Sequence, residues 1–452
     1  MRLASSTFAG PIWAAPAASI EARIAMQLIN IKHSSEQVSF KRAVMRGLGS
    51  DQGLFFPREL QVLPDVNGLL QEPFVPRSAA LLGHLVGDEV NEAAMQRMVT
   101  AAFDFPIAVE SLDDRVSALE LFHGPSLAFK DFGARFMAQC LAEFHDGGPM
   151  TILTATSGDT GAAVAHAYYG QPGIRVVILY PKGKISPLQE KLFCTLGGNV
   201  HTIAVNSDFD TCQQLVKQSF EDPELKDGLG LNSANSINVA RLFAQVCYYF
   251  EAAAAAKDVS RQVFSVPSGN FGNVTAGLIA RAIGLPYKRI IAATNINDTV
   301  PRFLASGHWD PNPTVETITN AMDISLPNTF PRVLELGERH GLMLEPLLTS
   351  MSLDDEETRE AMRALHARGY LADPHSALAW AALERSLQED EEGVFLCTAH
   401  PAKFLEVLEE TLKIDLPLPA ELEAVRNREV LSSIIAGEFS ALKQELLASG
   451  PE

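Results

Sequence analysis

The chain is poor in the residues that mark several large protein classes. It has five cysteines in 452 residues, Cys140, Cys194, Cys212, Cys247 and Cys397, an odd and scattered set. None forms C-x-x-C, and no histidine pair forms H-E-x-x-H. A disulfide framework and a structural zinc are therefore disfavoured, no metal is expected, and a reducing cytoplasm is the expected compartment. No run of about 18 apolar residues occurs, so no membrane span is expected. There is no G-x-x-x-x-G-K-S/T loop, which argues against a nucleoside triphosphate site. Long Lys/Arg runs are also missing, and the formal net charge is −19. Such a surface repels nucleic acid and anionic membranes, and neither is expected as a partner. An anionic substrate would need a local basic pocket to overcome that field.

Hydrophobic residues make up 47% of the chain, ample for a sizeable core, and the length suggests two or three domains. Residues 1–25 are rich in Ala, Pro and Ser, and Pro11 and Pro16 interrupt what could have been an apolar signal core. This segment reads as a disordered or leader-like extension, with Met26 as an alternative start. Residues 26–105 read as a small mixed domain. It has a helix-like stretch ending near Gly47, a turn and short apolar strand over Asp51–Pro57, and amphipathic helical patterns over 73–103.

Residues 106–417 read as one larger region, in which from about 117 the pattern becomes strand, loop, helix, repeated. Candidate strands are Val116–Leu121, Met150–Ala155, Ile174–Tyr180, Asn199–Val205, Val263–Val266, Arg289–Thr294 and Val394–Thr398. Candidate helices include Asp131–Phe144, Thr160–Tyr169, a long one over Val239–Ala256, and Val274–Ile283. This alternation implies an α/β protein whose parallel sheets are covered on both faces. Ligands in such folds sit at the C-terminal ends of strands beside helix N-termini. Asp354–Glu357 reads as a solvated, dipole-favoured helix start. Residues 418–452 read as a C-terminal helical tail.

The most informative segment is Phe122-His123-Gly124-Pro125-Ser126-Leu127-Ala128-Phe129-Lys130-Asp131-Phe132-Gly133. It sets one lysine between a Gly/Pro/Ser turn and a helix start, flanked by phenylalanines. A helix N-terminus and exclusion of water both disfavour an ammonium, leaving a neutral amine. Such an amine forms Schiff bases with aldehydes, notably pyridoxal 5′-phosphate (PLP). A surface lysine at a helix start is the competing reading.

Four further segments bear on that choice. Thr156-Ser157-Gly158-Asp159-Thr160-Gly161 joins a strand to a helix, and its hydroxyls and amides could hold a carboxylate or simply cap the helix. Pro267-Ser268-Gly269-Asn270-Phe271-Gly272-Asn273 offers small residues and a helix dipole, the requirements for backbone N–H groups to cradle a phosphate; a bare Gly/Asn turn is the alternative. Thr398, in Cys397-Thr398-Ala399-His400-Pro401, would present a neutral hydroxyl to a pyridine nitrogen, favouring elimination and replacement over transamination. His400 reads as a helix cap rather than a base. Asn235-Ser236-Ile237-Asn238-Val239-Ala240-Arg241 suits a second phosphate, with Arg241 giving a two-pronged contact, or else is an Asn-rich cap before a solvated Arg. Lys182 and Lys184 read as surface lysines that could add positive charge.

With these segments in order, the chain resembles the threonine synthases, PLP enzymes related in fold to the tryptophan synthase β subunit. The likeness runs from about Met26 to the C-terminal region, and also rests on Gln37-Val38-Ser39-Phe40, Gly53-Leu54-Phe55-Phe56-Pro57, Asn295–Phe303 and Asn320-Ala321-Met322-Asp323. The resemblance implies two parallel-sheet α/β subdomains of the PLP fold type II kind with the active site between them, preceded by a small N-terminal domain. It implies conversion of O-phospho-L-homoserine and water to L-threonine and phosphate, the last step of threonine biosynthesis. Carried over by position, Lys130 would capture PLP and act as general acid/base. Ser268, Gly269, Asn270, Phe271, Gly272 and Asn273 would hold the cofactor phosphate, and Thr398 would meet the pyridine nitrogen. Ser157, Asp159 and Thr160 would meet the amino-acid end of the substrate, and Asn235, Ser236 and Arg241 its phosphate. Another PLP lyase, such as a threonine dehydratase, and a non-catalytic PLP-binding relative are the alternatives. A monomer or homodimer is expected.

Overall fold

The computed structural model describes residues 26–235 and 237–448. Ser236 and the extension 1–25 lie outside the described residues. Three sheets organise the chain. The N-terminal one is antiparallel, in the order His33–Ser39, Gln27–Asn30, Phe55–Pro57. The second has six strands, in the order Leu348–Ser352, Arg289–Thr294, Gln262–Pro267, Glu392–Cys397, Val116–Glu120, Ala108–Ser111. All neighbours there are parallel except the edge pair Ala108–Ser111 with Val116–Glu120. The third is wholly parallel, in the order Ser433–Ala436, Val200–Asn206, Ile174–Pro181, Met150–Ala155, Leu231–Asn232.

The expected alternation is thus present as two parallel-stranded layers with helices on their faces. Ile174–Pro181 and Gln262–Pro267 are buried at every position. Strands covered on both sides need not alternate apolar with polar residues, and these two are mostly apolar, with Arg175, Gln262 and Ser265 as buried polar exceptions.

Two segments differ from their sequence patterns. The helix expected over Val239–Ala256 is two, Val239–Ala244 and Val246–Ala254. At the junction the Gln245 side chain donates to the Arg241 carbonyl (2.9 Å), the oxygen its own backbone N–H would take in a continuous helix. That N–H turns to Leu242 instead, tightening the turn. The tail after 418 is not all helical. Helices Ala420–Val425 and Phe439–Ala448 flank the strand Ser433–Ala436, which extends the third sheet beside Val200–Asn206. Its approach is held by Ser432, which hydrogen-bonds Tyr180 (3.0 Å) and Thr202 (2.7 Å). The acidic helix start behaves as expected: Asp354 and Glu357 form a reciprocal capping box.

An aromatic cluster ties the N-terminal helices to the sheets. Phe132 is fully buried and meets Phe74, Phe103, Phe105 and Tyr248, with ring centroids 4.8–6.2 Å apart. It lies two residues beyond Lys130, so core packing fixes where that lysine emerges. All five cysteines are buried and free. Among the described residues no group of His, Cys, Asp or Glu could hold a metal, and no helix is long and apolar enough to cross a membrane.

Candidate active site

Three neighbouring parallel strands carry the three most informative segments at their C-terminal ends. Gln262–Pro267 runs into Ser268–Asn273, Glu392–Cys397 into Thr398, and Val116–Glu120 into the turn before Lys130. At about 4.8 Å per strand, the Asn/Gly loop and the lysine loop stand about 10 Å apart across one sheet edge, with Thr398 between them. The lysine loop is laced to the Thr398 segment by backbone bonds: Phe129 N donates to Thr398 O (2.9 Å) and His400 N to Leu127 O (3.0 Å). His400 Nδ1 accepts from Ala402 N (3.1 Å), so it caps the short helix Pro401–Phe404, as its sequence context suggests.

Lys130 opens the helix Lys130–Phe144, with its side chain 19% exposed. The Thr156–Gly161 loop reaches it from the other parallel sheet. The Thr156 hydroxyl accepts from Gly158 N (2.9 Å) and Gly161 N (2.7 Å), so this hydroxyl folds the loop while Ser157 stays exposed. The next helix, Asp159–Tyr168, begins with the carboxylate that meets Lys130 Nζ (3.2 Å) through Oδ2. Oδ1 of the same residue pairs with Lys403. Burial pulls the Lys130 amine below its usual pKa, Lys403 and Arg241 push the same way, and Asp159 opposes them. Burial alone would raise the Asp159 carboxyl, but the two lysines outweigh it and hold it well below the usual carboxylate range.

Lys403 was not among the residues marked by sequence. It is the one charged side chain in the otherwise apolar run Ala399–Leu405 apart from His400, and that isolation is the signal that could have found it. Its side chain is 1% exposed, and Nζ also donates to the Ser126 carbonyl (2.9 Å) in the turn before Lys130. A cavity of about 300 Å³ opens here, lined by Ser157, Lys184, Gln189, Asn320 and Lys403 among others. A second cavity of about 140 Å³, at Thr211, Gln218 and Phe439, has no ionisable side chain in its wall. Lys182 and Lys184 are exposed, and Thr160 is half-buried.

In the Asn/Gly loop, Phe271 takes the left-handed conformation (φ 61°) and leads into helix Gly272–Ala282, whose first-turn N–H groups have no acceptors within the helix. The Asn273 side chain is clamped through its oxygen by the hydroxyls of Tyr248 (2.7 Å) and Tyr249 (2.8 Å). Its Nδ2 is left buried without a partner, an arrangement that suits an anion at the helix start. Asn270 Oδ1 accepts from Asn328 N (2.6 Å). The Ser268 hydroxyl donates to Val266 O (2.7 Å), so it closes the strand end. Gly269 passes so close to its neighbours that a Cβ would lie 2.7 Å from Met322 Cα.

Arg241 is buried on Val239–Ala244, not solvated, and this helix packs against Lys130–Phe144 at Gly133. Its Nη1 donates to Ala234 O (2.6 Å), while Nε is buried with no partner. Burial draws its pKa down to about 10, with Tyr168 and Asp131 opposing. Asn235 is exposed at the turn leading to this helix. A guanidinium held by a carbonyl, with an unused donor, is prepared to receive an anion.

Asp131 is wholly buried beside Lys130 and accepts from Ser126 N (2.9 Å). Burial pushes its carboxyl up to about 6, against the Ser126 hydrogen bond and the charges of Lys403 and Arg135. This lies above the value of about 3.9 for a free aspartate. The folded chain therefore holds the proton more tightly than the unfolded chain, and this residue's contribution to stability falls as pH rises from about 4 through about 6. Asp131→Asn is expected to gain in melting temperature on the parent as pH rises from about 4 to about 6, and to keep that gain above it. A pH-independent difference between the two would contradict this.

A lysine amine, a Gly/Asn loop opening a helix and a neutral hydroxyl at the C-terminal ends of neighbouring strands are what a PLP-dependent enzyme requires. The family described as "Pyridoxal-phosphate dependent enzyme" matches residues 106–399. Those described as "Threonine synthase N terminus" and "Threonine synthase, C-terminal" match residues 28–103 and 376–445. Threonine synthase of Haemophilus influenzae is 58% identical over 94% of this chain and all of its own length. The crystal structure of threonine synthase from Escherichia coli, 55% identical, superposes with a TM-score of 0.89 over 94% of this chain and 100% of that one. PLP-bound threonine synthase from Brucella melitensis, 32% identical, gives 0.88 over 93% and 98%. The chain belongs to the threonine synthase family.

Proposed function

We propose that this enzyme converts O-phospho-L-homoserine and water to L-threonine and phosphate, with Lys130 as the residue that captures PLP and moves the protons. The observation that carries the reading is the pairing of a part-buried Lys130 with a second basic position, Arg241, whose Nε has no partner. A dehydratase substrate without a γ-phosphate would leave that guanidinium idle.

When bound, PLP supplies an electron sink for the charge left on the substrate's α carbon. Lys130, whose buried amine is easily neutral, takes the α proton at Nζ and returns protons later. Gly269, Asn270, Phe271, Gly272 and Asn273 offer backbone and amide donors to the cofactor phosphate, with Ser268 closing the strand beneath. Thr398 would hold the pyridine end of the cofactor through its neutral hydroxyl. Ser157 and Thr160 flank the substrate carboxylate, with Asp159 beside them. Asn235, Ser236 and Arg241 hold the substrate phosphate, where Arg241 stabilises the departing dianion. The reaction takes place in the cytoplasm, in a monomer or homodimer.

Purified protein with PLP and phosphohomoserine should release phosphate and L-threonine in equal amounts; PLP capture without phosphate release would overturn the substrate assignment. In Gly269→Ala the new methyl must displace the Met322 backbone, so PLP affinity by absorbance titration is expected to fall about tenfold or more. Parental affinity would argue against the loop as the cradle.

A further inference from the structure

Asp159 poses a charge problem. It stands in the loop assigned to the substrate carboxylate, and like charges there would repel. In the structure two lysines neutralise it, Lys130 on Oδ2 and Lys403 on Oδ1. Lys130 must leave the carboxylate to capture PLP. Were it the sole partner, a buried anion would then stand uncompensated, which is strongly unfavourable. Lys403 does not have to leave. Its ammonium is fixed by the Ser126 carbonyl, and its own carbonyl accepts from Gln189 Nε2 (3.1 Å). Gln189 Oε1 in turn lies 3.1 Å from where a Cβ on Gly158 would stand, so Gln189 links the Lys403 backbone to the carboxylate loop.

We propose that Lys403 is a positioning residue, the permanent counter-ion of Asp159, which frees Lys130 for PLP and lets the Thr156–Gly161 loop accept a carboxylate substrate. This rests on the reading of Lys130 and the substrate given above. The other charged groups around the pair are Arg241 on the adjoining helix, Asp131 next to Lys130, Arg135 on the same helix, His375 and His166, and Lys184 in the cavity wall. None of them is a hydrogen-bonded partner of Asp159, so none substitutes for Lys403.

The test uses the holoenzyme and four variants: Lys403→Met, Lys403→Arg, Lys403→Gln and the double variant Asp159→Asn/Lys403→Met. PLP capture is followed by absorbance against pH and by borohydride reduction with mapping of the modified lysine. In Lys403→Met the carboxylate holds Lys130 alone, so the pH of half-capture should rise by about one unit. The KM for phosphohomoserine should rise about tenfold or more, with a smaller change in kcat. Lys403→Arg should stay near the parent. The double variant removes the anion as well, so its pH of half-capture should return to within about 0.3 unit of the parent's, which repair of packing could not achieve. Lys403→Gln, which keeps a donor for Ser126, replaces the methionine variant if that one fails to fold. A neutral variant with parental capture and KM, or a double variant no better than the single, overturns the proposal. If the parent itself fails to capture PLP on Lys130, the functional reading falls and this proposal with it. Capture by the parent with no effect of Lys403 removes this proposal alone.

Discussion

Lys130→Ala is expected to lower phosphate release from phosphohomoserine by at least about a thousandfold, because it removes the covalent anchor and the proton carrier together. PLP should still bind, without a covalent link, since the Ser268–Asn273 loop and Thr398 are on other strands. Borohydride should then fix no cofactor to the protein. The fold should survive. Phe132 anchors the helix through the aromatic cluster, and Asp159 keeps Lys403 as its partner. Rapid turnover by this variant, or cofactor trapped on Lys403 in the parent, would show that the wrong lysine has been assigned.

The second large effect concerns Arg241. Arg241→Met keeps much of the side-chain volume and removes the charge. kcat/KM for phosphohomoserine is expected to fall at least about a hundredfold, or about 2.7 kcal/mol, the scale of a charge-assisted contact made to a departing dianion. PLP affinity should change by less than about threefold. The ligand-free protein should lose little stability, or gain some. The guanidinium is buried with a carbonyl partner and an idle Nε, so the folded chain bears its desolvation without full return. Equal losses in turnover and PLP binding would remove its assignment to the substrate phosphate.

Much of this was legible along the chain because the signals are local. Strand–helix alternation needs only a few neighbouring residues to be seen, and most element positions agree with it to within a residue or two. The Lys130 turn, the Thr156 loop and the Ser268 loop each carry their Gly, Ser and Asn residues within one short segment. Errors arose where a distant or side-chain contact decided the outcome. The break at Gln245 comes from a side chain capturing a backbone carbonyl, which apolar periodicity does not register. The strand Ser433–Ala436 is four residues long, and its partner Val200–Asn206 is more than two hundred residues earlier. For Arg241 the sequence leaves a phosphate contact and a solvated cap open, and its burial is decided by its helix packing on the lysine's own helix.

By itself the sequence determined the α/β class, the family, the candidate lysine and the loops that surround it, because each is written in contiguous residues whose chemistry does not depend on the rest of the fold. Only the tertiary structure decided which charges meet. Lys130, Asp159, Arg241 and Lys403 come from four separate stretches, and a Coulomb interaction in a buried site depends on distances of a few ångströms that no spacing along the chain encodes.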